Sequence, residues 1–235
     1  MITLYHCVSA RSFRSLWALE ELSLPYHLKM LPFPPRVLAR EYLEVNPLGT
    51  VPLLIDGETR MTESSATCQY LAERYGKGSL CVAPHEVAYG AYLNWLHSGE
   101  ATLTFPQTIV LRYGRLEPKE RRLPQAAEDY TRWFLGRLRG VEAVISQEDH
   151  ICAGRFTAAD ISVGYALMLA SHIGLDREFP ETVRNYWRRL SAREGYARAL
   201  ASQDRAAREQ GVPPALDLET RPTIRQGPNT PQGSG

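Results

Sequence analysis

Two short segments of alternating apolar and polar residues, 2–7 and 26–30, are separated by a single stretch of helical period, and this spacing constrains the fold more than any other feature of the chain. Ile2, Leu4 and, in part, Cys7 alternate with polar neighbours as a half-buried strand does, and Val8-Ser9-Ala10-Arg11-Ser12 then breaks the period. Phe13, Leu16 and Trp17 recur at i, i+3 and i+4, Leu19 and Leu22 widen the stripe, and Pro25 stops the helix. Tyr26, Leu28 and Met30 resume the alternation. Strands joined in this way pair in parallel through a right-handed crossover, so the chain opens as an α/β unit.

The remainder of that unit is short. Residues 36–45 are weakly helical and Asn46-Pro47-Leu48-Gly49 is a turn by composition. Pro52-Leu53-Leu54-Ile55 and Thr59-Arg60-Met61-Thr62 flank Asp56-Gly57, a hairpin dipeptide, and Cys68, Leu71 and Tyr75 mark a helix ending at Gly76. Strand signals then vanish. Phe134, Leu138, Val141 and Ile145 form one stripe, Ile161, Tyr165, Met168, Leu169 and His172 another, and Val183, Trp187 and Leu190 a third, which predicts a helix bundle. The expected organisation is an α/β domain over 1–78, a linker within 78–84, a helical domain over 86–210 and a flexible tail over 211–235. That last segment holds five prolines and four glycines in 25 residues, too few apolar groups to offset ordering entropy.

At 235 residues the chain has room for two such cores. Twenty-seven Lys and Arg balance 26 Asp and Glu, and a net charge of +1 provides no field to recruit nucleic acid or an anionic membrane. The four cysteines, Cys7, Cys68, Cys81 and Cys152, lie far apart without metal-site spacing and are read as reduced. No metal is expected. With neither a leader pattern after Met1 nor an apolar run near the roughly 20 residues of a membrane span, a cytoplasmic location is expected.

Two segments carry candidate binding chemistry. A proline opening a strand donates nothing to the ladder; a cis Val51-Pro52 bond would turn the Val51 N–H and C=O outward, where an extended peptide pairs as an added strand, whereas a trans bond makes Pro52 an ordinary strand-start residue. In Thr62-Glu63-Ser64-Ser65-Ala66, Ser64 as an N-cap leaves first-turn N–H groups for a carboxylate, and Glu63 balances an ammonium group; plain capping beside a solvated glutamate is the alternative. Phe156-Thr157-Ala158-Ala159-Asp160-Ile161 reads as a capping box with Phe156 stapled on Ile161, so Asp160 is assigned to structure.

Taken together, Leu4-Tyr5-His6, the run from Arg11-Ser12-Phe13-Arg14 to Leu19-Glu20-Glu21-Leu22, Asn46-Pro47-Leu48-Gly49-Thr50-Val51-Pro52 and Thr62-Glu63-Ser64-Ser65-Ala66 resemble, in order and spacing, the N-terminal domain of the cytosolic glutathione S-transferases, in a bacterial and fungal branch. The resemblance is strong to about residue 76 and looser beyond. It implies a thioredoxin-like N-terminal domain followed by a helical-bundle C-terminal domain, with glutathione as co-substrate and a small electrophile as second substrate. It further implies a cis Pro52, Val51 pairing with the cysteinyl part of glutathione, and Glu63 and Ser64 holding its γ-glutamyl head. Arg36 or Arg40 would meet the glycine carboxylate. Many relatives carry Lys where this chain has Thr50. A homodimer is expected, bridged near the outer face of the helix at Ser64–Tyr75 with Gln69, Glu73 and Arg74.

Such an enzyme favours thiolate over thiol with a donor at the start of the first helix. Ser12 is placed first, Ser9 second and Arg11 third; Ser9 matches the serine of isomerase-type relatives, which also carry an arginine at the position of Arg14. Tyr5 is assigned to the strand, and Cys7 stands before the loop. His97, Glu100, Phe105, Arg112 and Tyr113 are candidates for the second-substrate wall. A glutathione-dependent isomerase, reductase or ether-cleaving enzyme, and a non-catalytic glutathione-binding module, are the alternative readings on the same fold.

Overall fold

The computed structural model describes residues 1–213, so the tail expected to be flexible lies outside the described residues from residue 214 onward. β1 (Ile2–His6) and β2 (Tyr26–Met30) pair in parallel, Ile2 opposite Tyr26 and His6 opposite Met30, and α1 (Phe13–Glu21) is the crossover between them. β3 (Leu53–Asp56) runs antiparallel to β1 with Tyr5 opposite Leu53, and β4 (Thr59–Met61) returns against β3, giving the order β2-β1-β3-β4. The weakly helical stretch is two single turns, α2 (Pro35–Leu38) and α3 (Tyr42–Val45), and α4 (Ser64–Tyr75) completes the unit. This is the thioredoxin-like arrangement that the resemblance implies.

The chain is thereafter helical: α5 (Tyr89–Ser98), α6 (Phe105–Leu111), α7 (Pro124–Ile145), α8 (Ala158–His172), α9 (Glu181–Ser191) and α10 (Glu194–Glu209). Widened π-type turns at Gly99–Thr104 and Arg112–Leu116 continue α5 and α6. α7 buries Phe134, Leu138, Val141 and Ile145, the face its period predicts. α8 departs from a stripe: every residue from Ala158 to Ala170 is buried, while His172 is exposed, because helices and the α/β unit surround α8 on all sides. In α9 the fully buried aromatic is Tyr186, not Trp187. No helix among the described residues is long and apolar enough to cross a membrane.

The two parts share one core. Trp17 of α1 is fully buried, edge-on to Tyr196 of α10 with ring centroids 5.0 Å apart, and 6.0 Å from Phe156. Phe156, expected as a staple on Ile161, also lies beneath the Arg193 guanidinium, 3.6 Å from the ring centroid. α5 and α8 cross closely at Gly99, where a Cβ would stand 2.3 Å from Ser162 Oγ. Just past α10, Gln210 reaches back to β2: its Oε1 accepts from the Met30 N–H and its Nε2 donates to the Leu28 carbonyl, both at 2.9 Å.

The capping box forms as its pattern predicts. Thr157 Oγ1 accepts from Ala159 N at 3.2 Å, and Asp160 Oδ2 accepts from Thr157 N at 2.8 Å. Asp160 is fully buried, and its other oxygen takes the Ile151 N–H and the Tyr186 hydroxyl at 3.0 and 2.8 Å. Thr157→Ala is expected to cost ~1 kcal/mol of stability in urea denaturation, with no change in the ligand affinity of the folded protein.

Candidate functional site

Because β1 and β3 are antiparallel with Tyr5 opposite Leu53, the chain leaving β1 and the chain entering β3 lie at the same end of the sheet. Residues 7–12 and the Val51-Pro52 pair therefore meet there. The Val51-Pro52 peptide bond is cis, and Val51 lies beyond the last paired residue of β3. Its approach is held by Asn46, whose Oδ1 accepts from Leu48 N and whose Nδ2 donates to the Thr50 carbonyl at 2.9 Å, joined there by the Tyr42 hydroxyl at 2.8 Å. The stem of Arg36 packs on this turn, since a Cβ at Gly49 would lie 2.6 Å from that of Arg36. Arg36 and Arg40 are both exposed.

The loop after β1 differs from expectation at Ser12. Ser12 does precede α1, but with φ −61° and ψ −15° it is already helical and its side chain caps nothing. The hydroxyl is fully buried and bonds to His6 Nδ1 at 2.7 Å, beneath the loop instead of at its surface. Ser9 is partly exposed and left-handed, with φ 54°, a conformation costing a non-glycine residue about 1 kcal/mol. Two side chains from the helical region grip it: Gln203 Oε1 accepts its N–H at 2.8 Å, and the Tyr165 hydroxyl donates to its carbonyl at 3.2 Å. Gln203 Oε1 also faces His6 Nε2 at 2.9 Å. An oxygen shared by two donors makes Nε2 the protonated nitrogen, so Nδ1 accepts from Ser12. Burial, partly offset by the bond to Gln203, lowers the His6 pKa to about 4. Cys7 is pushed up to about 12 by burial and offers no thiolate.

Arg14, on the first turn of α1, is fully buried. Its Nη1 donates to Glu100 at 2.5 Å and to Ser64 Oγ at 3.1 Å; its Nη2 donates to the Gly99 carbonyl, Thr104 Oγ1 and the Ser162 carbonyl at 3.0, 2.6 and 3.2 Å. The guanidinium carbon stands 4.2 Å above the centre of the Tyr165 ring. Glu100 also takes Arg11 Nε at 2.5 Å, and Arg11 Nη2 donates to Thr108 at 2.9 Å. Burial works against the Glu100 carboxylate, but Arg14 and then Arg11 outweigh it and hold its pKa below the ordinary value.

At α4 the helix begins one residue away from expectation. Glu63, exposed, is the residue before the first turn, and Ser64 is buried with its hydroxyl accepting from Arg14. No side chain caps this helix, so its first-turn N–H groups keep their donor capacity at a positive helix end. Of the five residues expected on the second-substrate wall, Glu100 meets the loop through Arg11. Phe105 instead lines an outer groove of about 310 Å³ with Tyr130, Trp133 and Arg137, and Arg112 pairs with Glu117 at 3.0 Å. The sequence reading missed His6, Tyr165 and Gln203. The signal available for Arg14 was a cation inside the apolar stripe of α1, which implies a buried counter-charge.

The depressed His6 pKa has a consequence for stability. Below the ordinary 6.5 the unfolded chain takes up a proton that the folded chain refuses until about 4, so stability is lost as the pH falls through this window. The loss approaches at most ~1.4 kcal/mol per pH unit from this residue. Urea denaturation at pH 6.5, 5.5 and 4.5 is expected to show a shallower slope in His6→Gln than in the wild type.

The family model described as the glutathione S-transferase N-terminal domain matches residues 8–74. Glutathione S-transferase 3 of Schizosaccharomyces pombe is 24% identical over 207 residues, spanning 82% of this chain and 84% of that protein. Glutathione S-transferase 1 of the same yeast is 30% identical over 166 residues, 67% of this chain and 70% of the relative. The crystal structure of the glutathione transferase URE2P6 of Phanerochaete chrysosporium, in complex with oxidized glutathione, superposes with a TM-score of 0.76 at 27% identity, covering 87% of this chain and 97% of that one. With its thioredoxin-like sheet followed by a helical region, the chain belongs to the glutathione S-transferase family and is a transferase.

Proposed function

We infer that the protein binds glutathione across the end of the sheet and stabilises its thiolate for attack on a small electrophile. One observation supports this reading: the strand register puts the loop of Ser9, the strand entry at Val51 and the uncapped start of α4 at one end of the sheet, where Arg14 joins α1 to Ser64, and these are three anchor points for one extended peptide. The Val51 backbone takes the cysteinyl unit. The first turn of α4 takes the γ-glutamyl carboxylate and Glu63 its ammonium group. Arg36, packed on the turn before Val51, serves the glycine carboxylate, with Arg40 nearby on the same exposed stretch. The Phanerochaete relative is in complex with oxidized glutathione, which supports glutathione as the ligand of this fold.

The thiolate donor we propose is Ser9, with Arg11 beside it; Ser12, turned to His6, is a structural residue. Transferase chemistry is favoured over a route through a protein cysteine because Cys7 is held protonated by burial. The second substrate would lie against Arg11 and Thr108, where the helical region faces the loop. The α/β part, 1–78, and the helical part, 86–210, then act as glutathione and electrophile domains of a cytoplasmic enzyme.

Assays with glutathione against aryl halides, peroxides, disulfides, maleyl compounds and aryl ethers identify the reaction, and absence of turnover with all of them, together with retention on immobilised glutathione, would leave a binding module. In calorimetric titration Ser64→Ala is expected to weaken glutathione binding by ~1 kcal/mol. Ultraviolet titration of the bound thiolate is expected to give a higher pKa in Ser9→Ala and a smaller change in Ser12→Ala. We also propose a homodimer, and place its bridging surface not on the polar outer face of α4 with Gln69, Glu73 and Arg74, as expected from the sequence, but on the groove where Phe105 and Trp133 are 51% and 50% exposed. Light scattering at micromolar concentration is expected to report twice the 26.5 kDa chain mass, and Trp133→Glu to lower it.

A further inference from the structure

We propose that Gln203 and Tyr165 are positioning residues for thiolate stabilisation, clamping Ser9 from the helical region in the left-handed conformation that presents its hydroxyl to the glutathione sulfur. The proposal rests on Ser9 being the thiolate donor. Ser9 has both of its backbone polar groups taken by side chains more than 150 residues away: Gln203 on α10 accepts its N–H at 2.8 Å, and Tyr165 on α8 donates to its carbonyl at 3.2 Å. A serine with φ 54° holds that geometry only where its surroundings impose it. The clamp is itself rigid. Gln203 is 2% exposed and fixed by His6 Nε2 at 2.9 Å, His6 is fixed by Ser12 at 2.7 Å, and the Tyr165 ring is stacked under Arg14. Burial pushes the Tyr165 phenol up to about 12, so it remains a donor throughout the working pH range. α10 thus positions a group of a site whose peptide-binding elements belong to the N-terminal part.

The test is a double-mutant cycle read by ultraviolet titration of the bound thiolate, with Gln203→Met removing the acceptor at similar volume, Gln203→Glu keeping an oxygen there, and Tyr165→Phe removing the donor at the other side. Urea denaturation selects conditions in which each variant is folded. Gln203→Met and Tyr165→Phe are expected to raise the pKa of the bound thiol by half a unit or more and to lower kcat at pH 6.5 about threefold, with the glutathione KM within twofold. Gln203→Glu is expected to restore most of the loss, and Gln203→Met to add nothing in a Ser9→Ala background. If Ser9→Ala raises the thiol pKa while Gln203→Met and Tyr165→Phe leave it unchanged, the clamp is overturned and Ser9 stands. If Ser9→Ala itself leaves the pKa unchanged, Ser9 is not the donor and the proposal falls with it.

Discussion

The structure turns on the burial of one guanidinium. A cation at the centre of a protein costs several kcal/mol unless it is paired and its donors are satisfied, and Arg14 meets both conditions only by drawing on three separate elements. Glu100 supplies the opposite charge, Ser64 a hydroxyl from α4, and Gly99, Thr104 and Ser162 supply oxygens from the helical region. The π-type turn at Gly99–Thr104 belongs to this solution, because it brings three of the partners, Gly99, Glu100 and Thr104, to the guanidinium. Neither part of the molecule could bury this residue alone. The α/β unit contributes the charge and the helical region most of its partners, which makes the junction between them specific as well as apolar.

Glu100 links that junction to the site. It lies between Arg14, wholly enclosed, and Arg11, a third exposed, so one carboxylate serves a structural cation and a cation near the expected substrate. Arg11 is thereby held in a fixed direction with Thr108 as a second anchor. Long side chains at binding sites lose rotamer entropy when a ligand orders them. Here the ordering has been done in advance by the fold.

Much of this was legible from local pattern. The period change near residue 76, the crossover helix, the turn at Asn46 and the Thr157–Asp160 box are all written within a few residues of one another, and each forms as its chemistry dictates. The direction of the Ser12 hydroxyl was harder to read, because composition names a residue that suits a helix start without fixing where its side chain points. Ser12 lies at that position, yet a partner six residues earlier in the strand, His6, claims its hydroxyl. The hidden partners are distant in sequence: 86 residues separate Arg14 from Glu100, and 194 separate Ser9 from Gln203. No window along the chain contains both members of these pairs. Trp187 and Tyr186 show the same limit on a smaller scale, since adjacent aromatics on α9 exchange places when a buried carboxylate, Asp160, is there to receive a hydroxyl.

The side chain of Gln210 bears on how such molecules remain separate. β2 is the outermost strand on its side of the sheet, and its outward Leu28 carbonyl and Met30 N–H are the pair that a strand from another chain would seek. Both are already occupied by one amide group, which imitates a rung of the ladder and cannot propagate it. A foreign strand arriving there must first displace a bond pair held by the last turn of a long helix. The same contact that docks α10 therefore closes the β2 edge to strand addition, so that the sheet cannot grow on this side.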